Sequence, residues 1–178
     1  METMTMTSTL TDWKQLTLDL GKLFASRSEQ HDREGSFVFE NYGELKTLRY
    51  FSATIPEELG GGGVTHEEMC ALIRIMAQHC GSTALAFSMH QHLVAAAIWK
   101  YKHKGESAPM LQKVAKDQLV LVSTGARDWL DSNGEMTKTD NGYLLSGRKH
   151  FASQSTAGDV AVTSAPYLHP ENGWQVLH

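Results

Sequence analysis

The sequence predicts an α+β protein in which helices come first and short strands follow. Three observations predict this class. Apolar residues recur at helical spacing through most of residues 1–118. From Leu119 onward the apolar runs are short, rich in β-branched or aromatic residues, and separated by Asn, Asp, Gly and Ser. The pair Asn141-Gly142 stands between two such runs, which is the usual signal of a β-hairpin.

The helical part begins with two amphipathic segments. Apolar residues gather on one face over residues 12–30, with Asp12 near the N-cap, and again briefly over residues 40–48. Pro56 and the four glycines at positions 60–63 then interrupt the helical pattern. We therefore expect two helices followed by an irregular loop.

Three further helices are predicted after that loop. Thr65 and Glu68 have the spacing of a capping box, so a third helix starts there and ends before Gly81. A fourth helix, over residues 82–102, is apolar on most sides and should be central and buried. A fifth, short helix is expected over residues 110–117.

The strand-forming part follows a change of pattern near Gln118. We place an N-terminal α-helical domain at residues 1–118 and a partial β-domain at residues 119–178. Strands are expected at residues 119–122, 135–139, 143–151 and 160–165.

Composition and charge exclude several classes of protein. The 178 residues are 41% hydrophobic and 20% charged, which is enough for a folded core. The formal charge of -4 provides no basic surface, so we expect no nucleic-acid partner. The first residues lack the pattern of a signal or transit peptide, and no apolar stretch has the length needed to span a membrane. A cytoplasmic location, with no membrane partner, is expected.

Metal-binding and nucleophilic motifs are also not found in the sequence. Cys70 and Cys80 lie in apolar stretches that are predicted to be helical. Cysteines in such stretches are usually small buried hydrophobes, and a reduced compartment is expected. His90 and His92 would diverge on a helix, and no His-Glu-x-x-His motif occurs, so no metal site is predicted. No Gly-x-Ser-x-Gly elbow occurs, and the four glycines are not followed by the Lys-Ser or Lys-Thr of a P-loop.

Three stretches, in order, resemble the acyl-CoA dehydrogenase family. They are Ile55-Pro56-Glu57-Glu58-Leu59-Gly60-Gly61-Gly62-Gly63, then Gly81-Ser82-Thr83-Ala84, then residues 142–153 (GYLLSGRKHFAS) with Asp159. The resemblance extends from about Phe37 to Ala165. It implies an N-terminal helical domain, a middle antiparallel β-barrel and a C-terminal helical bundle. We expect this sequence to end inside an incomplete antiparallel β-barrel of that type.

The resemblance implies a flavin cofactor, FAD, with FMN as a second possibility. Phe151 matches an aromatic residue that covers the flavin, and Ser153 matches a residue that donates near flavin N5. Ser123 or Thr124 matches a threonine at the pyrimidine edge. The alternative for Phe151 and Ser153 is a strand-end aromatic residue and a turn serine. Asp159 is expected to fix the turn that follows Ser153.

The loop over residues 123–129 departs from the family. It lacks a Glu-Pro pair and a glycine of the loop that holds the thioester, which weakens the case for a CoA substrate. Arg127 and Asp128 lie where the family has a Ser-Asp pair. Trp129 either covers the flavin or packs the loop.

The resemblance places a substrate pocket on the fourth helix. Ala84, Phe87, Ser88 and Gln91 share one side of it by helical spacing, and they match positions that border the acyl chain. A bulky Phe87 and a polar Gln91 favour a short or partly polar substrate. The alternative is that Phe87 belongs to the core and Gln91 faces solvent.

The function implied by the resemblance is α,β-dehydrogenation of an acyl-CoA thioester in fatty acid metabolism, by a homo-oligomer with electron-transfer flavoprotein as a possible acceptor. The family's base is a glutamate of the C-terminal bundle, and no residue here matches it. We therefore name no catalytic residue and expect no dehydrogenase activity from this chain alone. Two alternatives are a flavin-dependent monooxygenase of the same fold, and a non-catalytic truncated module that self-associates through exposed strand edges.

Overall fold

The computed structural model describes residues 12–124 and 132–177. All five predicted helices are present. They are α1 (Trp13–Glu34), α2 (Phe39–Thr47), α3 (His66–His79), α4 (Gly81–Lys104) and α5 (Ala108–Asp117), and short 3-10 turns lie at Tyr50–Ser52, Glu57–Leu59 and Ser155–Ala157. None of the helices in these two ranges has the length and hydropathy that a membrane crossing requires.

Local sequence signals set the helix ends. The Thr65 hydroxyl accepts a hydrogen bond from Glu68 N at 3.2 Å, and the Glu68 carboxylate accepts one from Thr65 N at 2.9 Å. This is the predicted capping box at the start of α3. Asp12 caps α1 by accepting from Gln15 N at 2.9 Å. Gly35 ends α1 with φ of 60°, so α1 continues beyond the predicted end at Gln30.

The core lies around α4, which is buried on several sides as expected. One cluster joins α1, α2, α3 and the first 3-10 turn to α4, and it contains Phe24, Tyr50, Phe51 and Phe87, all 0% exposed. A second cluster joins α4 and α5 to the loop after Ala53. Full burial of an aromatic side chain such as Phe87 contributes about 2–3 kcal/mol to stability.

Within the described residues, six short strands follow the helices. They are β1 (Leu121–Ser123), β2 (Glu135–Thr139), β3 (Gly142–Ser146), β4 (Val160–Val162), β5 (Ala165–His169) and β6 (Gly173–Leu177). The predicted hairpin at Asn141-Gly142 is confirmed, since β2 and β3 pair antiparallel with Thr139 opposite Gly142. The strands β5 and β6 form a second antiparallel hairpin.

The β part differs from the sequence prediction in four respects. The strand predicted for residues 143–151 ends at Ser146, because its partner Glu135 is the first residue of β2 and the ladder stops there. The strand predicted for residues 160–165 divides into β4 and the start of β5, and the β5–β6 hairpin was not predicted. The pair β1–β4 is parallel, which the long connection between the two strands permits.

The α+β class is confirmed, and in the part of the chain that the structure describes the strands form three two-stranded sheets without a closed barrel. Val120 and Leu121 are buried among the helices, Val120 in the first cluster and Leu121 in the second. The first strand is therefore packed into the helical core. The boundary between residues 118 and 119 stays a prediction.

Candidate functional site

The end of β1 carries two of the predicted flavin-binding residues. Ser123 and Thr124 are both half-buried. Thr124 N donates to Val162 O at 3.3 Å, and the Thr124 hydroxyl donates to the Thr163 hydroxyl at 2.9 Å. The Thr124 side chain is therefore held at the end of the β1–β4 pair.

Phe151 and Ser153 lie in an irregular segment between β3 and the last 3-10 turn. The Phe151 ring is 76% exposed, which is unusual for a large apolar side chain, while Ser153 is half-buried. Phe151 is thus not part of a strand. Its ring is free to cover a flat ligand or another protein surface.

Gln154 fixes this segment to the rest of the molecule. Its side chain is 5% exposed. Its Nε2 donates to Leu121 O in β1 at 2.9 Å, and its Oε1 accepts a hydrogen bond from the Tyr42 hydroxyl of α2. The residue immediately after Ser153 is therefore anchored both to β1 and to the helices.

Asp159 also connects the strands to the helices. Its Oδ2 accepts from Val120 N at 2.8 Å and from Lys46 Nζ of α2 at 2.9 Å. Partial burial opposes ionisation, but these two interactions hold the pKa of Asp159 below its usual range. We expected Asp159 to fix only the turn after Ser153, whereas its side chain joins α2 to the start of β1.

His90 of α4 is a structural residue that sequence reasoning missed. It is 0% exposed. Its Nε2 donates to Phe51 O at 2.8 Å, and its Nδ1 accepts from Leu121 N at 3.0 Å, so the neutral ring carries its proton on Nε2. Burial lowers the pKa of His90 to about 4. No local pattern could reveal this role, because both partners are distant in sequence.

A cavity of about 770 Å³ lies between α3, α4 and the loop that contains the four glycines at positions 60–63, which we call the glycine-rich loop. Apolar side chains from both helices line it together with Ser88, Gln91 and His92 of α4. Gln91 is only 5% exposed, so it does not face solvent. Its Oε1 accepts from the Thr54 hydroxyl at 2.9 Å, and its Nε2 donates to Tyr50 O at 3.3 Å.

The four predicted substrate residues therefore separate into two pairs. Ser88 and Gln91 line the cavity. Ala84 and Phe87 are 2% and 0% exposed and lie in the core behind it, as the alternative for Phe87 expected. Helical spacing alone places these four residues on one face of α4. The elements that pack on α4 bury one pair and leave the other pair at the cavity.

The cysteines and histidines give no metal centre in the described residues, where no three His, Cys, Asp or Glu side chains are grouped to hold an ion. Cys80 is buried as expected, whereas Cys70 is exposed at the cavity and lies 3.8 Å from the His66 ring. Arg127, Asp128 and Trp129 lie outside the residues that the structure describes.

The helical part of the chain matches a known protein family. The family described as "Acyl-CoA dehydrogenase, N-terminal domain" matches residues 21–118, which is more than half of the chain. The match covers α2 to α5 and most of α1, and so includes α3, α4 and the glycine-rich loop that line the cavity.

Individual relatives are similar over most of this chain. The amino sugar nitrososynthase DnmZ of Streptomyces peucetius is 28% identical over 73% of this chain and 33% of its own length. The "Probable FMNH2-dependent monooxygenase SfnC" of Pseudomonas putida is 24% identical over 83% of this chain and 36% of its own. The human very long-chain specific acyl-CoA dehydrogenase is 24% identical over 72% of this chain and 21% of its own. The chain spans about a third of the length of the first two.

Solved structures share the fold. KijD3, solved with FMN and a dTDP-linked amino keto sugar, has a TM-score of 0.79 at 25% identity, over 94% of this chain and 44% of its own. TdsC of Paenibacillus sp. A11-2, solved with FMN and indole, has a TM-score of 0.81 at 19% identity, over 93% of this chain and 42% of its own. The family match gives the assignment, and these structures share the corresponding fold. The chain belongs to the acyl-CoA dehydrogenase family.

Proposed function

We propose that this chain forms the helical and flavin-side part of a flavin-dependent monooxygenase, which acts on a small substrate with reduced flavin and oxygen. The observation that carries the flavin site is the open ring of Phe151 two residues before Ser153, on a segment that Gln154 anchors to β1. An isoalloxazine ring needs an apolar wall and donors at its polar edge. The residues present fit such a group.

Each proposed cofactor residue has one task. Phe151 covers one face of the ring and keeps water from it. Ser153 donates near N5, and Ser123 or Thr124 meets the pyrimidine edge. The flavin, when bound, supplies the redox chemistry. FMN is our first choice because TdsC and KijD3 were both solved with FMN, and FAD is the alternative.

The cavity between α3 and α4 is the proposed substrate pocket. Ser88 and Gln91 provide polar groups in its wall, and the hydrogen bonds of Gln91 to Thr54 and Tyr50 hold its amide in one orientation. Ala84 and Phe87 contribute from the core behind, where they keep α4 in place. Such a pocket suits a small, partly polar molecule.

Monooxygenation is preferred to acyl-CoA dehydrogenation for two reasons. The sequence at residues 123–129 lacks the Glu-Pro pair and the glycine of the family's thioester loop. DnmZ, named as a nitrososynthase, is 28% identical to this chain, whereas two relatives named as acyl-CoA dehydrogenases are 22% and 24% identical, and SfnC is named as an FMNH2-dependent monooxygenase. A cytoplasmic location is part of the same proposal.

Dehydrogenation remains the second candidate, since the human acyl-CoA dehydrogenase is also similar. That candidate implies fatty acid metabolism, a homo-oligomer and electron-transfer flavoprotein as acceptor. A non-catalytic self-associating module is the third candidate. It is favoured by the exposed apolar side chains of the β5–β6 hairpin, where Leu168, Trp174 and Val176 are 56%, 72% and 49% exposed.

Four measurements on the purified protein separate these candidates. Titration with FMN and FAD, followed by flavin fluorescence, should show saturable binding. Under anaerobic conditions an acyl-CoA should leave the bound flavin oxidised, and in stopped flow the protein should change the rate at which oxygen re-oxidises reduced FMN. Bleaching of the flavin by an acyl-CoA would establish the dehydrogenase instead. Failure to bind either flavin, together with concentration-dependent oligomers in sedimentation, would establish the module.

A further inference from the structure

We infer that His90 and Gln154 are positioning residues, which hold Leu121 of β1 from one side and thereby set the spacing between the two halves of the flavin site. The inference rests on the proposed function for its meaning, since the two halves are the end of β1 and the segment with Phe151 and Ser153. The contacts themselves do not depend on any cofactor.

Both backbone polar groups of Leu121 are bound by side chains. Its N–H donates to His90 Nδ1 at 3.0 Å, and its carbonyl accepts from Gln154 Nε2 at 2.9 Å. A strand normally satisfies such groups with a neighbouring strand. Here an imidazole and an amide occupy the place of that strand, and we call this arrangement the Leu121 clamp.

The clamp lies on the edge of β1 that faces away from β4. Val120 O accepts from Val160 N at 3.2 Å, and Thr124 N donates to Val162 O at 3.3 Å, so these residues face β4. The backbone groups of Leu121 must point the other way. One edge of the strand is thus fixed by a ladder and the other by the clamp.

Each member of the clamp is itself anchored in the helical core. His90 Nε2 donates to Phe51 O at 2.8 Å, and Gln154 Oε1 accepts from the Tyr42 hydroxyl. His90 is 0% exposed and Gln154 is 5% exposed. Because both side chains are buried and already hydrogen-bonded, the position of β1 is coupled directly to α4 and α2.

The clamp acts on both halves of the proposed flavin site because of where its members lie in the chain. Thr124 is three residues beyond Leu121, and Ser153 immediately precedes Gln154. Gln154 keeps a left-handed backbone with φ of 62°, which is unfavourable for a residue with a Cβ. The side-chain bonds to Leu121 and Tyr42 hold it there. Loss of the clamp should let the two halves move apart.

A matched pair of substitutions tests the clamp. In His90→Asn the amide can reach the place of Nδ1 and still accept from Leu121 N. In His90→Gln the side-chain amide reaches the place of Nε2. It keeps the hydrogen bond to Phe51 O but no longer accepts one from Leu121 N. Loss of one buried hydrogen bond should weaken FMN binding about tenfold in His90→Gln. Binding by His90→Asn should stay within about threefold of the original.

Gln154→Leu provides a second, independent disruption, and it should also weaken FMN binding about tenfold. Gln78→Leu is the control, because Gln78 lies on the exposed surface of α3. The visible band of bound FMN should shift in His90→Gln and Gln154→Leu and stay unchanged in the control. Such a shift reports on the surroundings of the ring, which a general loss of stability does not alter.

Amide hydrogen exchange tests the clamp without any cofactor. The amides of Leu121 and Thr124 should exchange faster in His90→Gln than in His90→Asn, at equal stability to urea. If the two variants show equal exchange and equal FMN affinity, the clamp has no positioning role and the inference is wrong. If the unaltered protein binds no flavin, the proposed function fails instead, and exchange alone decides whether the clamp exists. If His90→Gln or His90→Asn fails to fold, Gln154→Leu and Tyr42→Phe are compared with the unaltered protein instead.

Discussion

The imidazole of His90 in α4 accepts the backbone N–H of Leu121 at 3.0 Å, which joins the central helix to the first strand. The acceptor is Nδ1, so the ring must be neutral for the bond to exist. A protonated ring would carry hydrogens on both nitrogens and would oppose the Leu121 N–H. The junction between helices and strands is therefore sensitive to acid.

Stability should fall as the pH falls from about 6.5 to about 4. Burial lowers the pKa of His90 to about 4, and the nearby His92 adds to this, although the bond to Phe51 O opposes it. The unfolded chain takes up a proton near the ordinary value of 6.5, so within this window it binds more protons than the folded state. The expected loss is about 3 kcal/mol, measured by urea unfolding at several pH values.

The control for this pH effect is His90→Asn, which removes the titration of His90 and should lose less stability in the same window, where only His92, whose pKa is also lowered by burial, still contributes. Carboxylates such as Asp159, whose pKa is lowered from 3.8, lose their contribution only at lower pH, so the two effects separate. An equal loss in both proteins between pH 6.5 and pH 4 would show that His90 is not responsible.

Asp159→Ala should destabilise the protein by about 1.5–3 kcal/mol. The substitution removes the charged acceptor of Val120 N and the partner of Lys46. Lys46→Ala should cost less than about 1 kcal/mol, because that ion pair is partly exposed to water. Urea unfolding of both variants checks the order. A larger loss for Lys46→Ala would mean that the ion pair, and not the backbone bond, holds β1 to α2.

The helical half of the fold was predictable because its signals are local. Thr65 and Glu68 are three residues apart, and their reciprocal bonds need no distant partner. The β half was less predictable. The hairpin at Asn141-Gly142 is a local signal and was found, whereas the parallel pair of β1 and β4 depends on tertiary packing.

The candidate site was predictable only in its residue types. The family resemblance supplied Phe151 and Ser153, and the structure adds the exposure of the ring and its anchor, Gln154. Helical spacing places Phe87 and Gln91 on the same side of α4. In the structure Phe87 is buried in the core, whereas Gln91 lines the cavity. Spacing on a helix cannot show which neighbour covers each part of the face.

Gly61→Ala should destabilise the protein by at least about 2 kcal/mol. A Cβ at this position would lie 2.1 Å from Ile55 O, so the glycine-rich loop beside the cavity would have to move. Gly43→Ala is the matched control in the exposed middle of α2, where a Cβ meets no atom within 4 Å, and it should stabilise by about 0.5–1 kcal/mol. Thermal unfolding of the two variants is the measurement, and effects of the same sign would contradict the expected packing.

Ser153→Ala should weaken FMN binding by about three- to tenfold, since one donor to the flavin edge is lost. Ser155→Ala, on the exposed 3-10 turn that follows, should leave the affinity unchanged. Fluorescence titration compares the two variants. Equal affinities would remove Ser153 from the site while leaving Phe151 to be tested separately.

Phe151→Ala should weaken FMN binding by about three- to tenfold while changing the free energy of unfolding by less than about 0.5 kcal/mol. The ring is 76% exposed, so it contributes little to the fold, whereas stacking on an aromatic ligand contributes about 0.5–1.5 kcal/mol. Phe151→Tyr keeps the flat ring and should bind FMN almost as the original does. Trp174→Ala removes an aromatic side chain of similar exposure from β6 and should leave the affinity unchanged. Should Phe151→Ala bind FMN with undiminished affinity, the open ring serves another surface and the proposed flavin wall is wrong.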